Sequence, residues 1–363
     1  MTHLIEDYAD IFSRHKHHLG TFTGWKVKAE VDPSINCRQA PRNRVLPSSC
    51  KQDLYKYKDA GLFSDSTGLA DKYCANITLV LRNQIKEIKK STKADKYIQR
   101  KTTNKVSVEE TRPLEPEKKD GQTSRNLYRM TIDFRDLHRA TLNEKTCHLP
   151  SIQSIESSFH NSYVSTLDLS NCYPSILIHE NSRNYFNFYM ENEIWNHSRV
   201  AQGWCGSLTA CQKAVSWTVR DEVLKKFVIS KALTTEQFPF DSFRLFLKGF
   251  VDDLAVHSAK SFKNAAELHI LCIEAVFYAI RAGGWLLKLE VSTFMNPRFV
   301  FLGLQWDMDE AASTVQNDRV KAIVFLAQCR NWLVDYFSSF IPLMKRIAMP
   351  LYYIVRTGKF TSV

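Results

Sequence analysis

Phe250-Val251-Asp252-Asp253 joins two apolar runs, RLFLKGF at 244–250 and LAVHS at 254–258. Alternating residues on either side predict strand, tight turn, strand, with both acids at the tip. Two like charges at a tip repel unless a cation lies between them. A divalent ion is the natural partner, because hard Mg²⁺ takes carboxylate oxygens and leaves room for phosphates and water. A third carboxylate, Asp168, closes the strand-like run SYVSTLDLS at 162–170, 84 positions earlier (252 − 168). Three acids on two strands can hold two metals about 3.5–4 Å apart, an arrangement suited to phosphoryl transfer. A bare Asp-Asp pair is more often a solvated turn, so the reading depends on the rest of the chain.

The chain has 363 residues, a hydrophobic fraction of 44% and a net charge of +11. That length supports two or three subdomains with a real core. The charge favours a polyanionic partner, although a merely basic enzyme would look the same. Nine cysteines are scattered without paired spacing. They predict a reduced intracellular chain and offer no zinc signature. The start, MTHLIEDYADIFSRH, carries charges where a signal peptide needs an apolar stretch. No run of about 18 apolar residues predicts a membrane helix.

Prolines 33, 41 and 47 limit regular structure in the first 50 residues. KQDLYKYKDAG at 51–61 predicts a short helix stopped by Gly61, and NITLVL at 76–81 a strand. Residues 86–105 hold eight Lys/Arg against two acids, which predicts a mobile insertion able to meet a phosphate backbone. Residues 127–132 and 163–169 read as strands. Gly206-Ser207 opens a helix with Leu208, Cys211, Val215 and Val219 on one face. Residues 262–282 predict a long helix ended by Gly283-Gly284, 298–306 one apolar strand, and the segment from about 319 basic helix. Strands and helices interleave irregularly. The expectation is α+β, with helices on one face of an antiparallel sheet.

The order of motifs resembles the reverse transcriptases of retroviruses and of Gypsy-type LTR retrotransposons, over nearly the whole chain. RQAPRNRVLP at 38–47 and DAGLFSDSTG at 59–68 resemble the family's entry to the fingers. YRMTIDFRDLH at 128–138 resembles its fingers motif, STLDLSNCYPSI at 165–176 its first catalytic strand, and VAQGWCGS at 200–207 its Gln-Gly turn and helix. FVDD stands for aromatic-x-Asp-Asp, FVFLGLQWD at 299–307 resembles the strand that grips the primer end, and YFSSFIPLMKRIAMPLY at 336–352 the segment after the palm. Such matches in order are far more specific than any one of them.

The resemblance implies a right-hand polymerase fold and an RNA-directed DNA polymerase. Asp168, Asp252 and Asp253 match the catalytic acids that bind two Mg²⁺, with Mn²⁺ as the alternative ion. Arg129 matches the triphosphate-binding arginine, and Lys119, within Lys118-Lys119-Asp120-Gly121, the fingers lysine. Tyr173 lies where the family places an aromatic that blocks a ribose 2′-hydroxyl; read alone, it would be a core aromatic. Gln202 and Gly203 match a site touching the incoming nucleotide and template, and Leu302 and Gly303 the primer-grip strand. Residues 169–172 are expected to turn backbone N–H groups to the phosphates.

The chain departs from the pattern at Ala201, where proline is usual, and in the long insertion before Lys119. Lys288 is the only lysine in LLKLEV at 286–291, which puts a general-acid role for it in doubt. The implied layout is an entry segment at 1–50, fingers at 51–160 with an insertion near 83–120, a palm at 161–310, and the start of a thumb at 311–363. Part of the fingers lies within about 176–200. The implied partners are an RNA or DNA template with its primer, and dNTPs, with no membrane. The implied location is intracellular, in the cytoplasm or a virus-like particle, as part of a Pol polyprotein. The rival reading is a decayed or domesticated copy that binds nucleic acid without polymerising. A two-metal nuclease is a third, disfavoured by the fingers motif and Tyr173.

Overall fold

The computed structural model describes residues 1–41, 45–81, 128–143, 147, 149–234, 247–261, 264–310 and 312–315. The basic insertion, Lys119 and the segment from about 319 lie outside the described residues. After a short helix at Thr2–Asp7 comes helix α1 (Ser48–Asp59), followed by Gly61 at φ +75°, as its composition predicts. Strand β1 (Phe63–Asp65) follows. Then β2 (Ile77–Leu81) and β3 (Tyr128–Ile132) pair antiparallel, with Val80 opposite Arg129. Helix α2 (Arg135–Ala140) leads to α3 (Ile152–Phe159), whose first turn is capped by the Ser151 hydroxyl accepting from the Ser154 amide at 3.1 Å.

The apolar run at 162–168 forms β4 (Ser162–Asp168), and a single turn of helix, α4 (Cys172–Ser175), follows it. A small antiparallel sheet in the order β1-β6-β5 is built from β1, β5 (Asn187–Met190) and β6 (Glu193–His197). Helices α5 (Ser207–Thr218) and α6 (Asp221–Ser230) come next, then β7 (Leu247–Phe250), β8 (Asp253–Ala259) and the long α7 (Ala265–Gly283). Gly284 ends α7 at φ +72°. A Cβ there would collide with the Thr21 carbonyl, so both the turn and the packing require glycine.

The chain is α+β with antiparallel sheets, and the central sheet has the order β4-β8-β7. It is covered on both faces rather than one. Leu167, Leu254 and Val256 belong to the large core that also holds Cys272, Ile273, Val276 and Phe277 of α7. On the opposite face, Val164 and Ala255 join Ile155 and Phe159 of α3 in a second core with Phe299, Phe301 and Trp306. The reason is legible in β8. Leu254 to Ser258 are all buried, so the strand reads as a continuous run instead of a clean alternation. Each large side chain so buried contributes about 1.5–3 kcal/mol.

The run at 298–306 is two strands rather than one. β9 (Arg298–Phe301) and β10 (Leu304–Asp307) form a hairpin whose turn residues, Leu302 and Gly303, have φ of +52° and +75°. A short third strand, β11 (Ala312–Val315), completes this sheet. Two left-handed residues in succession suit a tight hairpin, and the apolar pattern on either side conceals them.

The cysteines also depart from expectation. Cys172 and Cys211 form a disulfide, 39 residues apart, that ties α4 to α5. Spacing carries no hint of it, because helix packing alone brings the two thiols together.

Candidate active site

The two strands that carry the aspartates meet in a register that sets the candidate site. In the β4–β8 ladder Asp253 lies directly opposite Asp168, and Leu254 opposite Leu167. Directly opposed residues share a face, so the Asp168 and Asp253 side chains project together, about 4.5–5.5 Å apart at Cβ. Asp253 also pairs with Phe250 across β7, which leaves Val251 and Asp252 as a two-residue turn. Asp252 is therefore the acid at the tip, and Asp253 is the first residue of β8. The Leu169 amide donates to the Asp252 carbonyl at 2.9 Å, fixing the tip against the end of β4.

Burial and neighbouring charge raise the proton affinity of Asp252 and Asp253. Burial, then the charges of Asp252 and Asp168, push Asp253 up to about 6, against a smaller opposing pull from Lys288. Asp252 is raised chiefly by burial, with Asp168 adding to it. Half-buried carboxylates of this kind favour an added cation. In the described structure one is supplied by the chain itself: Lys288 Nζ donates to Asp168 Oδ1. Lys288 is aimed by backbone bonds. Its amide donates to the Asp168 carbonyl at 3.0 Å, and the Ser170 amide donates to the Leu286 carbonyl at 2.7 Å. Sequence reading discounted this lysine as a general acid. Its ion pair with Asp168 is visible only once 286–288 runs alongside 168–170.

Those bonds narrow a second expectation. Of the amides at 169–172, those of Leu169 and Ser170 are already used by backbone carbonyls, which leaves only the Asn171 and Cys172 amides for a phosphate. The chain turns instead at Asn171, in the left-handed region at φ +52°. The Asn171 carboxamide donates to the carbonyls of Lys16 and His18 at 3.1 and 3.3 Å. Tyr173 follows on α4, half-buried, and its hydroxyl is raised by burial and then by the charge of Asp252. Arg199 holds this turn from behind. Its guanidinium donates to the carbonyls of Gly20, Gly61 and Pro174 at 2.8, 3.1 and 3.1 Å, and to Thr21 Oγ1 at 3.2 Å. No pattern in the sequence singled out Arg199 or Asn171.

Gln202 is exposed, and Gly203 has φ +99°, a conformation that suits only glycine. The Gly203 carbonyl meets His138 Nε2 at 2.6 Å, joining this loop to α2. Gln202 and Asn171 line one cavity together with Thr131 and Ile132 of β3. Ala201, which stands where proline was expected, is buried, and its carbonyl accepts from the Ser207 hydroxyl at 2.6 Å. Arg129 belongs to β3, and Leu302 and Gly303 form the hairpin turn described above.

The donor set suits hard divalent ions in its chemistry: Asp168 and Asp253 are opposed at strand ends, Asp252 is at the adjoining turn, and a cation, Lys288, is already drawn to Asp168. Among the described residues, no three acidic, histidine or cysteine side chains are placed so that together they could hold a metal ion. The Asp168 carboxylate is directed to Lys288. No helix among the described residues is long and apolar enough to cross a membrane.

The fold is similar to that of foamy viral protease-reverse transcriptases. One, in complex with an RNA/DNA hybrid, matches with a TM-score of 0.61 at 16% identity, over 99% of this chain and 41% of its own. Another, in complex with double-stranded DNA, matches at 0.60 and 15%, over 99% and 52%. Native prototype foamy virus protease-reverse transcriptase matches at 0.54 and 13%, over 99% and 41%. The chain thus spans about half of these proteins or less. No curated protein matches it in sequence. The family model described as reverse transcriptase (RNA-dependent DNA polymerase) matches residues 116–306, or 191 of 363 (306 − 116 + 1). That stretch contains every aspartate of the site, and the chain belongs to the reverse transcriptase family.

Proposed function

We propose that this chain is the polymerase region of a Pol-type protein and extends a primer on an RNA or DNA template. The observation that carries the reading is the opposed pair Asp168 and Asp253, with Asp252 at the adjoining turn. Bound Mg²⁺, or Mn²⁺ in its place, supplies positive charge to the attacking 3′-oxygen, the triphosphate and the leaving pyrophosphate. Asp168 and Asp252 would be its direct ligands, with Asp253 in support. Lys288, which pairs with Asp168, would have to release that carboxylate for a metal to bind it. Arg129 and Lys119 neutralise the triphosphate, and a guanidinium suits its oxygens bidentately. Tyr173 lies under the sugar and excludes a 2′-hydroxyl. Gln202 and Gly203 meet the nucleotide and template, and the Leu302-Gly303 turn presses on the primer end.

In this reading residues 51–160 are fingers, 161–310 palm, and 311–363 the start of a thumb, after an entry segment at 1–50. The foamy viral likeness supports a retroviral or Gypsy-type LTR relative, working in the cytoplasm or a virus-like particle. The test is extension of an oligo(dT) primer on poly(rA) with Mg²⁺ and dTTP. Extension that is lost in the Asp252→Asn protein supports the reading. A folded parent chain that binds template-primer but never extends it would establish the decayed copy instead.

A further inference from the structure

Val251 is the first residue of the turn between β7 and β8, with φ +60°, and it is buried. A β-branched residue in that region is strained where glycine is not. A relaxed turn would carry Asp252 and Asp253, its immediate neighbours, out of register. On one side the Leu169 amide holds the Asp252 carbonyl. On the other, the Val251 amide donates to the side-chain Oε1 of Gln212 at 2.9 Å. Gln212 sits on α5, beside Cys211, Ala214 and Val215, which are buried. The disulfide from Cys211 to Cys172 anchors that part of the helix to α4. The carboxamide is therefore presented from a fixed support to a strained backbone.

We propose that Gln212 is a positioning residue for the reaction: it holds the Val251 turn and thereby aims Asp252 and Asp253. The proposal rests on the polymerase reading above. Gln212 touches no substrate in this scheme and acts only through the Val251 amide.

Gln212→Met removes the acceptor at nearly equal length. Gln212 also lines a cavity of about 250 Å³ with Val215, Leu247, Gly249 and Leu254, so methionine finds room. The first readout requires no activity. Exchange of the Val251 amide should quicken by about tenfold or more, with the β4–β8 ladder amides unchanged. In primer extension, kcat should fall on the order of 10- to 100-fold while the dNTP KM stays within about twofold. Val251→Gly frees the turn from strain, so Gln212→Met should cost less than about threefold in that background. Unchanged Val251 exchange overturns the proposal. So does an equal loss of kcat in the parent and the Val251→Gly background, or a general fall in ladder protection. A parent chain that extends no primer defeats the polymerase reading, and the exchange comparison still decides whether Gln212 sets the turn.

Discussion

At the scale of single residues, the three aspartates are kept together at an electrostatic cost that binding of a cation removes. Asp252→Asn takes away one charge of that cluster. It should lower Mg²⁺-dependent extension on the order of 10²-fold or more. The melting temperature of the metal-free chain should hold or rise, because Asp168 repels Asp252. Steady-state kinetics with calorimetry checks both outcomes. Lys288→Met removes the built-in counter-ion of Asp168. Both side chains of that pair are partly exposed, so stability should change by no more than about 1 kcal/mol. Mn²⁺ affinity, measured by electron paramagnetic resonance, should rise a few-fold, on the order of 0.5–1 kcal/mol, as the competitor is gone. A weaker affinity would mean that Lys288 orients Asp168 for the ion instead. Tyr173 is half-buried and feels the charge of Asp252. Tyr173→Ala should raise ribonucleotide over deoxyribonucleotide use, on the order of tenfold or more. An unchanged ratio with surviving activity would make it a packing residue.

At the scale of elements, the site depends on one short helix that could not stand alone. α4 has four residues and is set by its surroundings. Asn171 fixes its start against the carbonyls of residues 16 and 18, and Arg199 fixes Pro174 to residues 20, 21 and 61. Arg199→Lys keeps the charge but not the fork. It should lower the unfolding free energy by about 2 kcal/mol. Urea denaturation measures this, and a shift below about 0.5 kcal/mol, the range of neutral surface changes, would show that the lysine re-forms the contacts.

At the scale of the whole molecule, two buried histidines set an acid limit. His269 is fully buried between Ser165 and Ser258, with its ring nitrogens at 2.8 and 2.9 Å from their hydroxyls. Burial lowers it to about 4, and lowers His197 to about 3. Both are depressed below the ordinary value of 6.5. The folded state therefore binds fewer protons than the unfolded chain. Stability from this source is complete above pH 6.5 and is lost as pH falls through 4 and toward 3. Each unit of depression costs about 1.4 kcal/mol once the pH is below both values. Thermal melts between pH 7 and 4 should show the decline, and His269→Gln should flatten part of it.

The strand, turn and strand around Asp252, the strand ending at Asp168 and the long helix stopped by Gly283-Gly284 were all legible in the sequence. Each is specified by local signals: apolar runs, turn residues and a glycine stop. The place of the three aspartates at the ends of these strands was legible for the same reason, since charged residues there break an apolar pattern. What the tertiary structure alone decided is relational. It set the register that puts Asp253 opposite Asp168, and the second covered face of the central sheet. It also showed the Leu302-Gly303 turn inside an apolar run, the Cys172–Cys211 bond, and the hold of Lys288 on Asp168. Lys288 and Asp168 are 120 residues apart. Contacts at that separation follow from how packed elements lie against one another, and no local pattern of residue types encodes them.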